Sequence, residues 1–207
     1  RLFPGVNLTE AGARLVELER EWARRTPGPS LRLAYHTDLD AWRVGRSDGT
    51  DVLYAMPRCV LRGAATTPTS GARHTVATAV SSRDPRLLWD AERVALFLRR
   101  AEAAARLCLE LPEAPTHPSG SFPLVIDYAL AKGLAHEAFG HASEADAFPS
   151  SILAKDGRFR AGDEVGPGHV SIVHDTLPGD YAWQPFSPTG LPRRRSPIAA
   201  RGDLHQP

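Results

Sequence analysis

Between Ser30 and Ser82 the chain offers five short runs, "SLRLAYH", "AWRVGR", "DVLYAM", "RCVLRGAAT" and "ARHTVATAVSS", in which apolar and β-branched residues recur with polar ones between them. Such runs read as strands, because a pleated strand sends alternate side chains to one face. The turn residues "SDG" at Ser47–Gly49 and "TSG" at Thr69–Gly71 separate them, so the expected product is an antiparallel meander. A helix is expected before it and another after it. From Thr9 to Arg25, Leu15, Leu18 and Trp22 recur at intervals of three and four, with Thr9 as the N-cap and Pro27 beyond the end. From about Pro85 to Leu111 a longer amphipathic stretch keeps Leu88, Ala95, Leu98, Ala105 and Cys108 near one face and most of its arginines elsewhere.

The stretch "PEAPTHPSGSFP", residues 112–123, breaks both periodicities and is the best candidate boundary. Beyond it "LVID" has the composition of a buried strand, and Asp127 is placed to cap a helix starting near Tyr128. After Pro149, "HVSIVHD", "DYAW" and "SPIAARGDLH" read as strands or hairpins joined by long loops. The expected class is α+β: an antiparallel meander with a packed long helix, then a strand and a helix leading into a β-rich segment. Residues 1–115 are assigned to an N-terminal α/β domain and residues 116–207 to the start of a C-terminal domain.

Composition narrows the function classes. A chain with 42% hydrophobic and 24% charged residues is an ordinary globular protein. Its 25 basic and 24 acidic residues leave a net charge of +1, with no basic excess for a phosphate backbone, so nucleic acid is not an expected partner. No apolar run approaches the roughly 20 residues of a membrane span, and "RLFPGVNLTEAG" lacks the apolar core of a signal peptide. The expected location is the cytoplasm, with no membrane partner. Cys59 and Cys108 fall in an expected strand and an expected helix, where a reduced thiol packs as a small apolar group. The chain opens on Arg1 and its only methionine is Met56, which reads as a fragment, a processed chain or an incomplete record.

The chemistry is concentrated in "GLAHEAFGHASEAD", Gly133–Asp146. Imidazoles at His136 and His141 suit a divalent transition metal, above all zinc, and Glu137 stands beside the first of them as a base for a metal-activated water. The spacing is unusual. Each residue of an α-helix turns the chain by about 100°, so positions five apart lie roughly 140° apart around the axis. Convergence on one ion therefore requires a π-type widening between His136 and His141, where Gly133 and Gly140 weaken the regular helix. The bland alternative is a regular helix with two partly buried histidines and a surface glutamate.

Taken with the apolar residue before it and Glu144 and Asp146 after it, the segment "LAHEAFGHASEAD" resembles the HExxxH segment of the TldD/PmbA peptidases. The resemblance extends to "DAWRVGRSDGTDVLYAMPRCVLRGAAT" upstream and "VHDTLPGDYAWQPFSPTGLPRRRSPIAARGDLH" downstream, covering Leu31 onward. It implies a zinc-type metallopeptidase acting on unfolded or modified peptides, as in leader-peptide removal or natural-product maturation, paired with a PmbA/TldE-like partner subunit in a heterodimer. His136 and His141 would be metal ligands and Glu137 the catalytic base. The resemblance also implies a downstream cysteine as third ligand, and no cysteine follows His141 in this chain. Glu144, Asp146, His169 and His174 are the candidates to replace it. The family commonly has an acidic pair where this chain has "SPTG", Ser187–Gly190. The competing reading is a non-catalytic scaffolding subunit with an incomplete site. The basic run Arg193–Arg195 is expected to be a solvated hairpin edge, and Trp42, Trp89 and Trp183 to be packing residues.

Overall fold

The computed structural model describes residues 6–68, 73–175 and 177–205, so the "TSG" turn at Thr69–Gly71 lies outside the described residues. The chain packs as two compact units, one of Arg1–His117 with Pro178–Leu191, the other of Pro118–Leu177 with Pro192–Pro207. Together they make an α+β protein, as the alternation of patterns predicts.

In the first unit, α1 (Leu8–Arg25) precedes three strands, β1 (Ser30–Gly45), β2 (Asp51–Thr66) and β3 (Thr75–Ser82), which form an antiparallel sheet in the order β1-β2-β3. The meander is present, but four of the five expected strands fuse in pairs. β1 and β2 pair without interruption from Ser30↔Thr66 to Gly45↔Asp51. Pro57 does not end β2, because β3 pairs only from Cys59 onward and Pro57 has a neighbouring strand on one side alone, where a missing amide is tolerated. The "SDG" turn forms as expected, with Gly49 at φ +91° and the Asp48 carboxylate accepting from the Thr50 amide.

Asn7, not Thr9, caps α1: its side chain accepts from the amides of Thr9 and Glu10. The single helix expected over 85–111 is two, α2 (Pro85–Leu88) and α3 (Ala91–Glu110), since Asp84 and Asp90 are each extended and accept from the amides of Arg86 and Arg93. Both α1 and α3 pack on the sheet and on each other. At their meeting point Trp22 and Phe97 are fully buried, edge to face with ring centroids 6.2 Å apart. A Cβ on Gly63 of β2 would lie 2.9 Å from both rings, so the bare backbone there sets how closely the helices approach. Arg93 and Arg100 of α3 donate to the Ser81 and Ala79 carbonyls of β3, covering an edge that would otherwise offer unpaired groups.

The segment Pro178–Leu191 returns to this unit. "DYAW" is a turn rather than a strand, and its aromatic rings lie against cations of the sheet: Arg83 sits 4.5 Å from the Trp183 ring and Arg58 5.8 Å from that of Tyr181. Arg83 also donates to the Pro178 carbonyl at 3.3 Å and Arg46 to the Thr189 carbonyl at 3.2 Å, so these cations help hold the segment. "SPTG" closes on itself, the Ser187 hydroxyl accepting from the amides of Thr189 and Leu191, so the loop is braced without an acidic pair. Trp89 packs against Tyr35, whereas Trp42 is 50% exposed and is not a core residue.

In the second unit α4 (Tyr128–Ala135) leads through short helical turns to β4 (Ala154–Lys155) and β5 (Arg158–Phe159), a two-stranded hairpin, and then to β6 (Ile172–His174), β7 (Ser196–Ala200) and β8 (Asp203–Leu204), a three-stranded sheet. Both tight hairpins turn on a residue pair with positive φ, Asp156–Gly157 and Arg201–Gly202. "LVID" is not a buried strand: Leu124 and Val125 are 81% and 104% exposed and no described strand pairs with them. Apolar composition alone does not make a strand, which requires a partner for its amides and carbonyls. No helix among the described residues is long and apolar enough to cross a membrane.

Two predictions follow from the first unit's core. Gly63→Ala forces a methyl group against two buried rings and is expected to destabilise by about 1–3 kcal/mol, read from urea denaturation. Cys59 is fully buried, donates to the Ser82 carbonyl at 3.1 Å, and burial pushes its thiol up to about 11. It is therefore a neutral thiol at pH 8 and should resist iodoacetamide in the native protein, becoming alkylated once urea exposes it.

Candidate metal centre

The Asp127 carboxylate accepts from the Leu130 amide at 2.9 Å and starts α4, as expected from its place before Tyr128. The helix is regular to Ala135. Over His136–Gly140 it widens to a π-helical turn, and the His141 amide donates to the His136 carbonyl in place of the ordinary partner one residue nearer. The extra residue in the turn undoes the angular separation that a regular helix imposes. The rings of His136 and His141 stand 4.5 Å apart between centroids, at 62° to each other. One donor atom each of His136, Glu137 and His141 lies within 4.8 Å of the others, and all three residues are exposed. The regular helix with diverging histidines is thereby excluded.

A Cβ at Gly140 would meet the His136 Nδ1 at 3.5 Å, an ordinary contact, and one at Gly133 would meet nothing within 4 Å. Space does not demand glycine at either position. What these residues contribute is a weaker regular helix on both sides of the distortion. The carbonyls left open past the turn find side-chain donors. Ser143, which is buried, donates its hydroxyl to the Gly140 carbonyl at 2.8 Å, and the Ser151 hydroxyl donates to the Ala142 carbonyl while accepting from the Leu153 amide. Sequence reasoning missed both serines: Ser143 bonds three residues back, a local pattern that was overlooked, whereas Ser151 acts nine residues from its acceptor and nothing local marks it.

The candidates for a further ligand do not join the group. Glu144 is turned to His141, its Oε1 3.0 Å from the ring Nδ1. His174 has its Nε2 3.4 Å from the Arg193 guanidinium, and neither Asp146 nor His169 belongs to the one group of three potential ligands among the described residues. Arg195 pairs with Asp175 at 3.1 Å beside the β6–β7 hairpin, consistent with a charged hairpin edge. Two imidazoles and an adjacent carboxylate, all ordinary donors for a borderline divalent metal, are thus gathered at one point of the surface.

The widened turn thus brings the two histidines and the glutamate of the HExxxH segment to one point, as a group that could hold a metal ion. Residues 119–207 match the PmbA/TldA metallopeptidase C-terminal domain family. Over 111 residues the chain is 32% identical to a metalloprotease of Methanocaldococcus jannaschii, a match covering 52% of this chain and 24% of that protein. Its fold is similar to that of a Thermotoga maritima protein described as a candidate modulator of a DNA gyrase, with TM-score 0.73 and 19% identity over 99% of this chain and 47% of that one. It is also similar to TldE of Thermococcus kodakarensis, with TM-score 0.66 and 13% identity over 93% and 42%. Its C-terminal part thus resembles the third domain of the TldD/PmbA metallopeptidases, and the chain as a whole shares their fold. It spans about a quarter of the length of the curated relatives it matches and just under half of the similar solved structures.

The serine braces give a testable dependence. Ser151→Ala leaves the Ala142 carbonyl and the Leu153 amide without their shared partner and is expected to cost about 1–3 kcal/mol locally. Hydrogen exchange over 136–143 should quicken in the variant while the strands of the first unit keep their protection.

Proposed function

We propose that the chain carries the catalytic segment of a metal-dependent peptidase that cuts peptide bonds in unfolded or modified peptides. The observation that carries this reading is the convergence of His136, Glu137 and His141 across the widened turn, within the segment that matches a metallopeptidase domain. His136 and His141 would hold the ion, and zinc suits two imidazoles best. When bound, such an ion supplies Lewis acidity, polarising a carbonyl and lowering the pKa of a water from about 15.7 toward 7. Glu137 has the other half of the task. Ionised, its carboxylate only accepts, so it takes the proton of the attacking water and returns it to the departing amine nitrogen as the C–N bond breaks. Three protein ligands are usual for zinc of this kind, and we assign the third to a donor outside the group of three.

The substrate class is a flexible peptide, consistent with leader-peptide removal or natural-product maturation in the cytoplasm. A TldE-like partner subunit completes the assembly in this reading, supported by the shared fold with TldE of Thermococcus kodakarensis. The purified protein should hold close to one metal ion per active chain and cleave an unstructured peptide. Glu137→Gln is expected to lower turnover by about 10²–10⁴-fold while the metal is retained, and His136→Ala or His141→Ala to lose the metal itself. Metal analysis beside peptide turnover separates these effects. Unchanged turnover in Glu137→Gln rejects its role as base, and a wild-type protein with neither metal nor hydrolysis leaves the scaffolding subunit as the better reading.

A further inference from the structure

We propose that Glu144 is a positioning residue for this centre: it holds His141 in one tautomer and one orientation, and so selects Nε2 as the atom offered to the metal. The inference rests on the metal reading above and adds a residue to it. Its starting point is the 3.0 Å separation between the His141 Nδ1 and the Glu144 Oε1. An ionised carboxylate has no proton to give, so the hydrogen bond requires the proton to sit on Nδ1. A neutral imidazole carries only one, which leaves the lone pair on Nε2.

The backbone prepares this contact. His141–Ser143 form a 3₁₀ turn, and the Glu144 amide donates to the His141 carbonyl at 3.3 Å. Residues three apart eclipse one another in such a turn, so the glutamate side chain needs little ordering to reach the ring. The same closure keeps Glu144 out of the ligand group, which contains Glu137 but not Glu144. Glu144 therefore acts through His141. Fixing the free nitrogen matters because the π-turn already sets the two rings 4.5 Å apart, and they can share one ion only if each offers an unprotonated nitrogen toward it. Both side chains are about half exposed, at 53% and 54%, so water competes for the bond. The effect belongs at the lower end of the roughly 10–100-fold range typical of such outer partners.

The test compares wild type with Glu144→Ala and Glu144→Gln in the same chain. ¹⁵N NMR of the metal-free protein reads the His141 tautomer, and a cobalt(II) titration reads affinity and the ligand-field spectrum. Wild type should show the Nδ1–H tautomer. Glu144→Ala should relax it toward a mixture and weaken cobalt binding about tenfold. Glu144→Gln retains an oxygen that can accept, and should keep the tautomer, the spectrum and most of the affinity. An alanine variant with unchanged tautomer and affinity overturns the inference. So does a glutamine variant as weak as alanine with an altered spectrum, the signature of Glu144 as a direct ligand. A wild-type chain that binds no cobalt defeats the metal reading and this inference with it, whereas binding that survives Glu144→Ala unchanged defeats the inference alone.

Discussion

The hydrogen bond from the His141 amide to the His136 carbonyl is the constraint on which the candidate site depends. In a regular α-helix the same two residues diverge by roughly 140°, and no choice of rotamer brings two short imidazole side chains back across that angle. One additional residue in the turn changes the geometry at a single point, and the rest of the site follows from it. Glu137 remains next to His136 in sequence and close to both rings in space, while Ser143 and Ser151 take up carbonyls beyond the turn. Glu144 then falls on the eclipsed position of the following 3₁₀ turn. The distortion is local, costs helical regularity, and is braced by side chains that have no part in the chemistry.

The first unit depends on a different close approach. Gly63 lies under Trp22 and Phe97, the two largest fully buried side chains, and the absence of its Cβ lets α1 and α3 settle against the middle of β2. The long β1–β2 hairpin extends well past the part of the sheet covered by β3. Arginines on β2 and just after β3 hold the returning segment Pro178–Leu191 through aromatic rings, and Gly190, with φ +81°, turns beside the hairpin end at Thr50. This unit is therefore built from two stretches of chain separated by some sixty residues.

Much of this was legible in sequence wherever the determining interactions are short-range. The spacing of Leu15, Leu18 and Trp22 located α1, alternation located the sheet, Asp127 located the start of α4, and the five-residue gap between histidines called for a widened turn if both were to meet one ion, the turn that the backbone adopts. Errors arose where the local signal was ambiguous or was outweighed by pairing. The runs on either side of Pro57 read as separate strands, yet they are one, because Pro57 sits where β2 has only one neighbouring strand. "LVID" read as a buried strand because its side chains are apolar, yet it has no strand partner among the described residues. The Asp156–Gly157 turn was overlooked although an Asp-Gly pair is a strong hairpin signal, because the two strands it joins are only two residues long.

The sequence by itself determined the α+β class, the positions of the principal helices, the resemblance of the C-terminal part to a metallopeptidase domain and the residues that gather at the candidate centre. These depend on periodicity and on residue identity at fixed offsets, both of which are local properties of the chain. Tertiary structure decided the fusion of short runs into long strands, the return of Pro178–Leu191 to the first unit, and the pairing of Ser151 with the Ala142 carbonyl. Each of those depends on groups distant in sequence finding a partner, and a buried or half-buried polar group gains its stability from whichever partner the folded chain brings within reach, not from its neighbours along the chain.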